Sequence, residues 1–171
     1  KEFIEVDGAA SLSALCEENE ANRIFLVTRK ASFESSGARV LLERALGGRS
    51  VCRFSDFGQG PNFDDVVKGA RYLLREKSEI IVAIGGGTVI DMAKSINVFQ
   101  AHDNQHELLD LAMGKVPVTQ TGLPLVAVPT TAGTGSEATH FAVIYVGDTK
   151  YSLAHSTMLP KYAIVDSRLT H

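Results

Sequence analysis

Cysteine is scarce: Cys16 and Cys52 are the only two in 171 residues, and neither has CxxC or Cys/His spacing around it. This argues against a disulfide-built scaffold or a cysteine zinc site and for two reduced, partly buried thiols, one in an apparent helix and one in an apparent strand. An excess of charge is also lacking. Charged residues make up 22% with a formal net charge of −3, so neither a polyanion-binding surface nor an acidic tail is expected, and nucleic acid is not an expected partner. No run of eighteen apolar residues is present to cross a membrane, and Lys1-Glu2-Phe3-Ile4-Glu5 lacks the order of a secretion signal; the chain reads as cytoplasmic. There is no internal repeat, no low-complexity segment and no initiator methionine. With a stop just after the strand-like "AIVD", a fragment of a longer protein is expected.

What is present points to one α/β domain, since 171 residues at 44% hydrophobic content suffice for one good core. "RIFLVT" at 23–28, "SVCRF" at 50–54, "EIIVAI" at 79–84 and "LPLVAVP" at 123–129 are apolar, β-branched runs. Helical spacing separates them at 38–46, 66–75 and from the glycines to about Phe99, and a short helix is expected at 108–113. Asn62 stands where it would cap the helix at 66–75. Alternating strands and helices predict a doubly wound, mostly parallel sheet. "HFAVIYVGDTKYSLAH" reads as an antiparallel hairpin turning at Gly147-Asp148, and "YAIVD" at 162–166 as one more strand, together extending the sheet by antiparallel pairing.

The central segment, "IIVAIGGGTVIDMAK" at 80–94, places three glycines between a buried strand and a helix. A helix N-terminus offers unpaired N–H groups and a partial positive charge, and glycine lets a phosphate approach the backbone. Gly85, Gly86, Gly87 and Thr88 are therefore a candidate anion cradle, with a bare strand-to-helix turn as the alternative. Thr88 and Asp91 have the spacing of a capping box. No G-x-x-x-x-G-K-[ST] is present, and Gly133–Ala138 fits G-x-G-x-x-A only loosely, without the acidic residue that would grip a ribose. A second loop of small and hydroxyl residues, Thr130–Thr139, follows another buried strand. Two such loops suit an elongated polar ligand.

"GGGTVIDMAK" and "PTTAGTGSEAT", in that order and each after a buried strand, resemble the two signature segments of the iron-containing (group III) alcohol dehydrogenases, whose fold class includes glycerol dehydrogenase and dehydroquinate synthase. "GPNFDD" and "LPKYAIVD" are similar to further family elements. The resemblance implies that residues 1–166 form an NAD(P)-binding domain and that 167–171 begin a linker to an all-helical domain. It implies that Gly85–Thr88 bind the cofactor pyrophosphate with Asp91 beside them and that Asn62 touches the adenosine side. Thr130, Thr131 and Thr134 would line the path to the nicotinamide, with Val143 and Lys150 near its ribose. Lys150 has a solvated hairpin lysine as its alternative. Where many members have Asp, this chain has Arg29, which offers planar donors to a 2′-phosphate and favours NADP over NAD, unless it points into solvent.

"FSDF" at 54–57 and residues 138–155 resemble the members that reduce phosphonoacetaldehyde, which implies an anionic aldehyde held by His140, Lys150 or His155. A structural hydrogen-bonding role is the alternative for both histidines. In the family, a divalent metal, iron or zinc, polarises the carbonyl during hydride transfer and is held by an Asp and three His. Those ligands would follow His171, and none of His102, His106, His140, His155 or His171 occupies a ligand position. His102 and His106 share i, i+4 spacing, but in the loosest polar region. The resemblance thus implies the cofactor-binding half of an oxidoreductase, inactive alone and homo-oligomeric. The alternatives are a stand-alone nucleotide-binding module and a lyase related to dehydroquinate synthase.

Overall fold

The computed structural model describes residues 2–5, 8–102 and 105–170, with side chains described for all of these except 2–5, 31, 32, 35, 41, 105 and 106. The five expected strand segments, joined by an unexpected strand at the start of the chain, form six parallel strands in the order β1 (Glu2–Glu5), β8 (Tyr162–Val165), β5 (Leu125–Pro129), β4 (Ile80–Gly85), β2 (Arg23–Thr28) and β3 (Ser50–Phe54). Strands β4 and β5 are buried along their whole length, as expected for parallel strands covered on both faces. The hairpin forms as expected, β6 (Phe141–Val146) against β7 (Thr149–Ala154), but as a separate two-stranded sheet. The expected antiparallel extension is therefore corrected. β8 instead enters the main sheet in parallel between β1 and β5, because residues 155–161 carry the chain back to the start of the sheet before it turns.

Two apolar layers flank the sheet. One contains α1 (Gly8–Glu18), which buries Leu12, Leu15 and Cys16 at helical spacing, together with α2 (Lys30–Ser35) and α3 (Ala38–Ala45). The short α2 was not expected from the periodicity. The opposite layer contains α4 (Phe63–Arg75), α5 (Gly87–Phe99) and α6 (Gln105–Ala112), with the hairpin lying over α5. Asn62 caps α4 as expected, its side chain accepting from the Asp65 amide at 2.8 Å. Among the described residues no helix is long and apolar enough to cross a membrane.

The layering explains one unusual helix. Every residue of α5 from Val89 to Phe99 is buried, since the sheet covers one side and α4 and the hairpin cover the others. Four polar side chains, those of Asp91, Lys94, Ser95 and Asn97, are buried with it. Burying such groups is costly unless they find partners. Asn97 does so with both amide atoms on the Leu123 backbone, each at 2.8 Å. Asp91 and Lys94 do so at the hairpin.

Candidate functional site

Strands β2 and β4 lie side by side with Thr28 opposite Ile84. After β2 the chain turns to the layer of Phe33, Ala38 and Leu42, whereas after β4 it turns to the opposite layer. The two loops therefore diverge at the carboxyl end of the sheet, which makes the space between Arg29 and Gly86 the place where a crevice is expected. Such a reversal of strand order is where open α/β sheets bind ligands.

The glycine triplet lies on this crevice and is tightly surrounded. A Cβ on Gly85 would stand 2.5 Å from Val89 Cγ2, one on Gly86 2.9 Å from Thr131 Oγ1, and one on Gly87 3.1 Å from Ser136 Oγ and 3.2 Å from Thr134 Cβ. A side chain at 86 or 87 would therefore have to displace side chains of the second loop, which leans on both. The two loops are also joined where the Thr130 amide donates to Gly85 O at 3.0 Å. Within the second loop Gly133 and Gly135 take φ of +91° and +64°, a region that side chains disfavour, so the loop can double back over the first.

The expected capping box is not formed. Helix α5 starts at Gly87 with Gly86 as its N-cap and without a side-chain cap, because the extended Gly86 has already turned the chain and Asp91 faces the hairpin instead. The Val89 amide turns back to Gly86 O at 3.0 Å, and the amides before it carry no side-chain cap from Thr88 or Asp91. An anion is the complementary partner for that end of the helix.

Asp91 Oδ2 accepts from the Val143 amide at 3.1 Å, so two candidate residues hold each other. Burial pushes the Asp91 carboxyl above its ordinary range, opposed by the Val143 hydrogen bond, the Lys94 charge, Ser136 and the Lys150 charge. Lys150 itself is exposed on β7. Lys94, with no exposed surface, donates to Thr139 O at 2.8 Å, Thr139 Oγ1 at 3.0 Å and Phe141 O at 2.9 Å. Together Asp91 and Lys94 fasten the hairpin and the end of the second loop to α5.

Arg29 is half-buried, with its guanidinium carbon 5.8 Å from the centre of the Phe57 ring, which in turn stacks on Phe54. It therefore does not simply point into solvent. Asn62 engages Asp65 with both ends of its amide and bridges to Tyr145 of β6, so it sits beside the crevice as a structural cap. Thr130 is buried, whereas Thr131 and Thr134 are exposed above the glycines. The histidines divide. His140 is exposed, while His155 accepts from the Thr157 amide at 3.3 Å and caps the turn Ser156–Met158. His102 is buried with Nδ1 2.9 Å from Val98 O, and the His106 side chain and His171 lie outside the described residues.

Among the described residues no three His, Cys, Asp or Glu side chains are grouped to hold a metal ion. These residues do not fit a metal centre. A concavity of about 690 Å³ between β3 and α4, lined by Arg53, Phe54, Lys68 and Arg71 among others, contains none of the candidate residues.

Sequence reasoning missed Lys94, Ser136, Phe57 and Tyr145. For Lys94 a signal was present: in "TVIDMAKSINVF" a helix apolar all round contains an Asp and a Lys three residues apart, and charges so placed must be paired inside the protein.

The arrangement has counterparts. A 4-hydroxybutyrate dehydrogenase of Cupriavidus necator is 36% identical over 168 residues, covering 95% of this chain and 43% of that protein. An NADPH-dependent butanol dehydrogenase of Clostridium saccharobutylicum is 35% identical over 113 residues, 64% of this chain and 29% of that one. The crystal structure of sulfoacetaldehyde reductase from Bifidobacterium kashiwanohense in complex with NAD+ superposes with a TM-score of 0.88 at 28% identity, covering 99% of this chain and 44% of that one. The chain therefore spans less than half the length of these relatives. A protein-family model for iron-containing alcohol dehydrogenase matches residues 2–167, and the chain belongs to that family.

Proposed function

We propose that this chain is the dinucleotide-binding half of a metal-dependent, NAD(P)-linked alcohol dehydrogenase or aldehyde reductase, with the cofactor pyrophosphate on the α5 N-terminus at Gly85–Thr88. The observation that carries this reading is the interlocked pair of loops at the strand-order reversal, where Gly86 and Gly87 admit Thr131, Thr134 and Ser136 against an uncapped helix end. The bound cofactor would supply a hydride acceptor or donor. This chain's own residues would anchor its diphosphate by backbone amides, shape the far wall with Thr131 and Thr134, and border the adenosine end with Arg29. The metal ligands are proposed to lie in the part of the relatives' length that this chain does not span.

Arg29 beside Phe57 supports use of NADP at least equal to that of NAD, since a guanidinium carries planar donors that match a 2′-phosphate where an aspartate would repel it. Arg29→Asp should raise the KM for NADPH by about tenfold or more and leave that for NADH nearly unchanged, the scale of one charge-assisted contact. A strong NADH preference in the unaltered enzyme contradicts this. For the substrate, an aldehyde bearing an anionic group is proposed. Relatives named for 4-hydroxybutyrate and sulfoacetaldehyde support it, as do His140 and Lys150 exposed on and beside the hairpin. Phosphonoacetaldehyde is the proposed member of that class. Equal kcat/KM for phosphonoacetaldehyde and butyraldehyde in the complete, metal-loaded enzyme would remove this assignment. A cytoplasmic homo-oligomer is proposed as well, supported by the unpaired β3 edge with Val51 42% exposed; sedimentation of the complete protein as a monomer contradicts the assembly.

A further inference from the structure

We propose that Lys94 is the positioning residue of the dinucleotide site, setting cofactor affinity through the second loop without touching the cofactor. The inference rests on the reading of Gly85–Thr88 as the diphosphate cradle. Lys94 has no exposed surface, so a ligand in the crevice cannot reach it. Its ammonium acts along a continuous path. It donates to the Thr139 hydroxyl and carbonyl; the Thr139 hydroxyl donates onward to Ser136 O at 3.4 Å; and Ser136 Oγ lies 3.1 Å from where a Cβ on Gly87 would stand.

Polar bonds to α5 and β4 hold this loop in place. Residues 131–134 are all exposed, and Gly133 and Gly135 have left-handed backbone, so no apolar side chain at its tip anchors the loop to the core. Among the described residues, the bonds that place it are the Thr130 amide on Gly85 O at one end and, at the other, the Lys94 ammonium on Thr139 together with the Asp91 carboxyl on Ser136. Lys94 and the cradle belong to the same helix, and Asp91 on that helix holds β6 by the Val143 amide. Cradle, loop and hairpin therefore share one rigid reference. Removing the ammonium leaves two part-buried carbonyls without this donor and loosens the loop end from the helix whose first turn it faces.

The test uses the complete polypeptide that carries this domain, with the unaltered protein, Lys94→Met and Thr139→Val. Dinucleotide Kd is measured by fluorescence of the reduced nicotinamide, kcat at saturating cofactor, and melting temperature separately. Lys94→Met is expected to weaken NADH and NADPH binding about tenfold or more, well below its melting temperature, with kcat at saturating cofactor retained. Thr139→Val, which removes one acceptor and leaves the lysine in place, is expected to weaken binding about threefold. A lowered melting temperature with unchanged Kd, or a fall in kcat with unchanged cofactor KM, assigns Lys94 a merely structural or a different role and overturns the inference. Should Lys94→Met fail to fold, an unchanged Kd in Thr139→Val overturns it. Failure of the unaltered protein to bind either dinucleotide refutes the reading of the cradle instead.

Discussion

Alanine at Gly85 and alanine at Gly86 are the same chemical change one residue apart, yet the structure assigns them opposite consequences. At Gly85 the new Cβ falls 2.5 Å from Val89 Cγ2 and 2.8 Å from Val89 Cβ. Val89 is buried in the first turn of α5, and a β-branched side chain in a helix has essentially one χ1 setting, so the overlap is relieved only by moving α5 away from β4. Overpacking of this kind costs about 1–3 kcal/mol, and at φ +158° a side chain adds backbone strain that outweighs any gain from a stiffer unfolded chain, so the net loss is at least about 1–3 kcal/mol. At Gly86 the new Cβ meets Thr131 Oγ1 at 2.9 Å, but Thr131 is exposed and can change rotamer. The stability change there should stay within about 0.5 kcal/mol, while the methyl group occupies the cradle and weakens dinucleotide binding. Urea unfolding with a shared m-value reads the first effect, and cofactor titration of the complete protein reads the second. Equal unfolding midpoints for the two variants would refute the reasoning, as would a stable Gly86→Ala that binds cofactor like the unaltered protein.

Asp166 accepts from the Arg168 side chain and amide and from the Gly8 amide, which hold its carboxyl at about 2. Because this folded value lies below the unfolded one, the stabilisation is complete above about pH 4 and is lost as pH falls through 2; with Arg168 largely exposed it amounts to about 1 kcal/mol, and Asp166→Asn should flatten the acid limb of stability accordingly. Asp91 should behave in the opposite sense. Its folded value is raised, so its contribution is greatest below the ordinary carboxylate range and declines as pH rises through the folded value; carboxyl NMR should find Asp91 titrating above and Asp166 below the usual range, and two coincident ordinary titrations would contradict the burial described. Gly69→Ala would drive a Cβ into Ile96 and to 3.1 Å from Phe54, prising α4 from α5 at a cost of about 2–3 kcal/mol by urea unfolding.

Most of the strands were legible because β2, β4 and β5 are dense apolar runs bounded by polar or turn residues, and parallel strands covered on both faces need little else. Strand β8 was found but not its partner. "YAIVD" has the same composition whichever neighbour it pairs with, and its place between β1 and β5 depends on how residues 155–161 carry the chain back. The site showed a similar division. Glycines at 85–87 announce a close approach, but what approaches is Thr131, Thr134 and Ser136, from a loop some 45 residues away in the chain. Asp91 was assigned to a capping box because local spacing is visible in a sequence, whereas the Val143 amide that it serves becomes its neighbour only when the hairpin folds over α5. Lys94 was overlooked for the same reason, its three acceptors lying 45 to 47 positions further on.

Amide chemical-shift mapping of the complete, 15N-labelled protein during titration with NAD+ tests the central claim most directly. The largest shifts should fall on Gly86, Gly87 and Thr88, followed by Thr131 to Ser136. Shifts concentrated instead on Arg53, Lys68 and Arg71, around the groove between β3 and α4, would place the dinucleotide elsewhere and contradict the assignment.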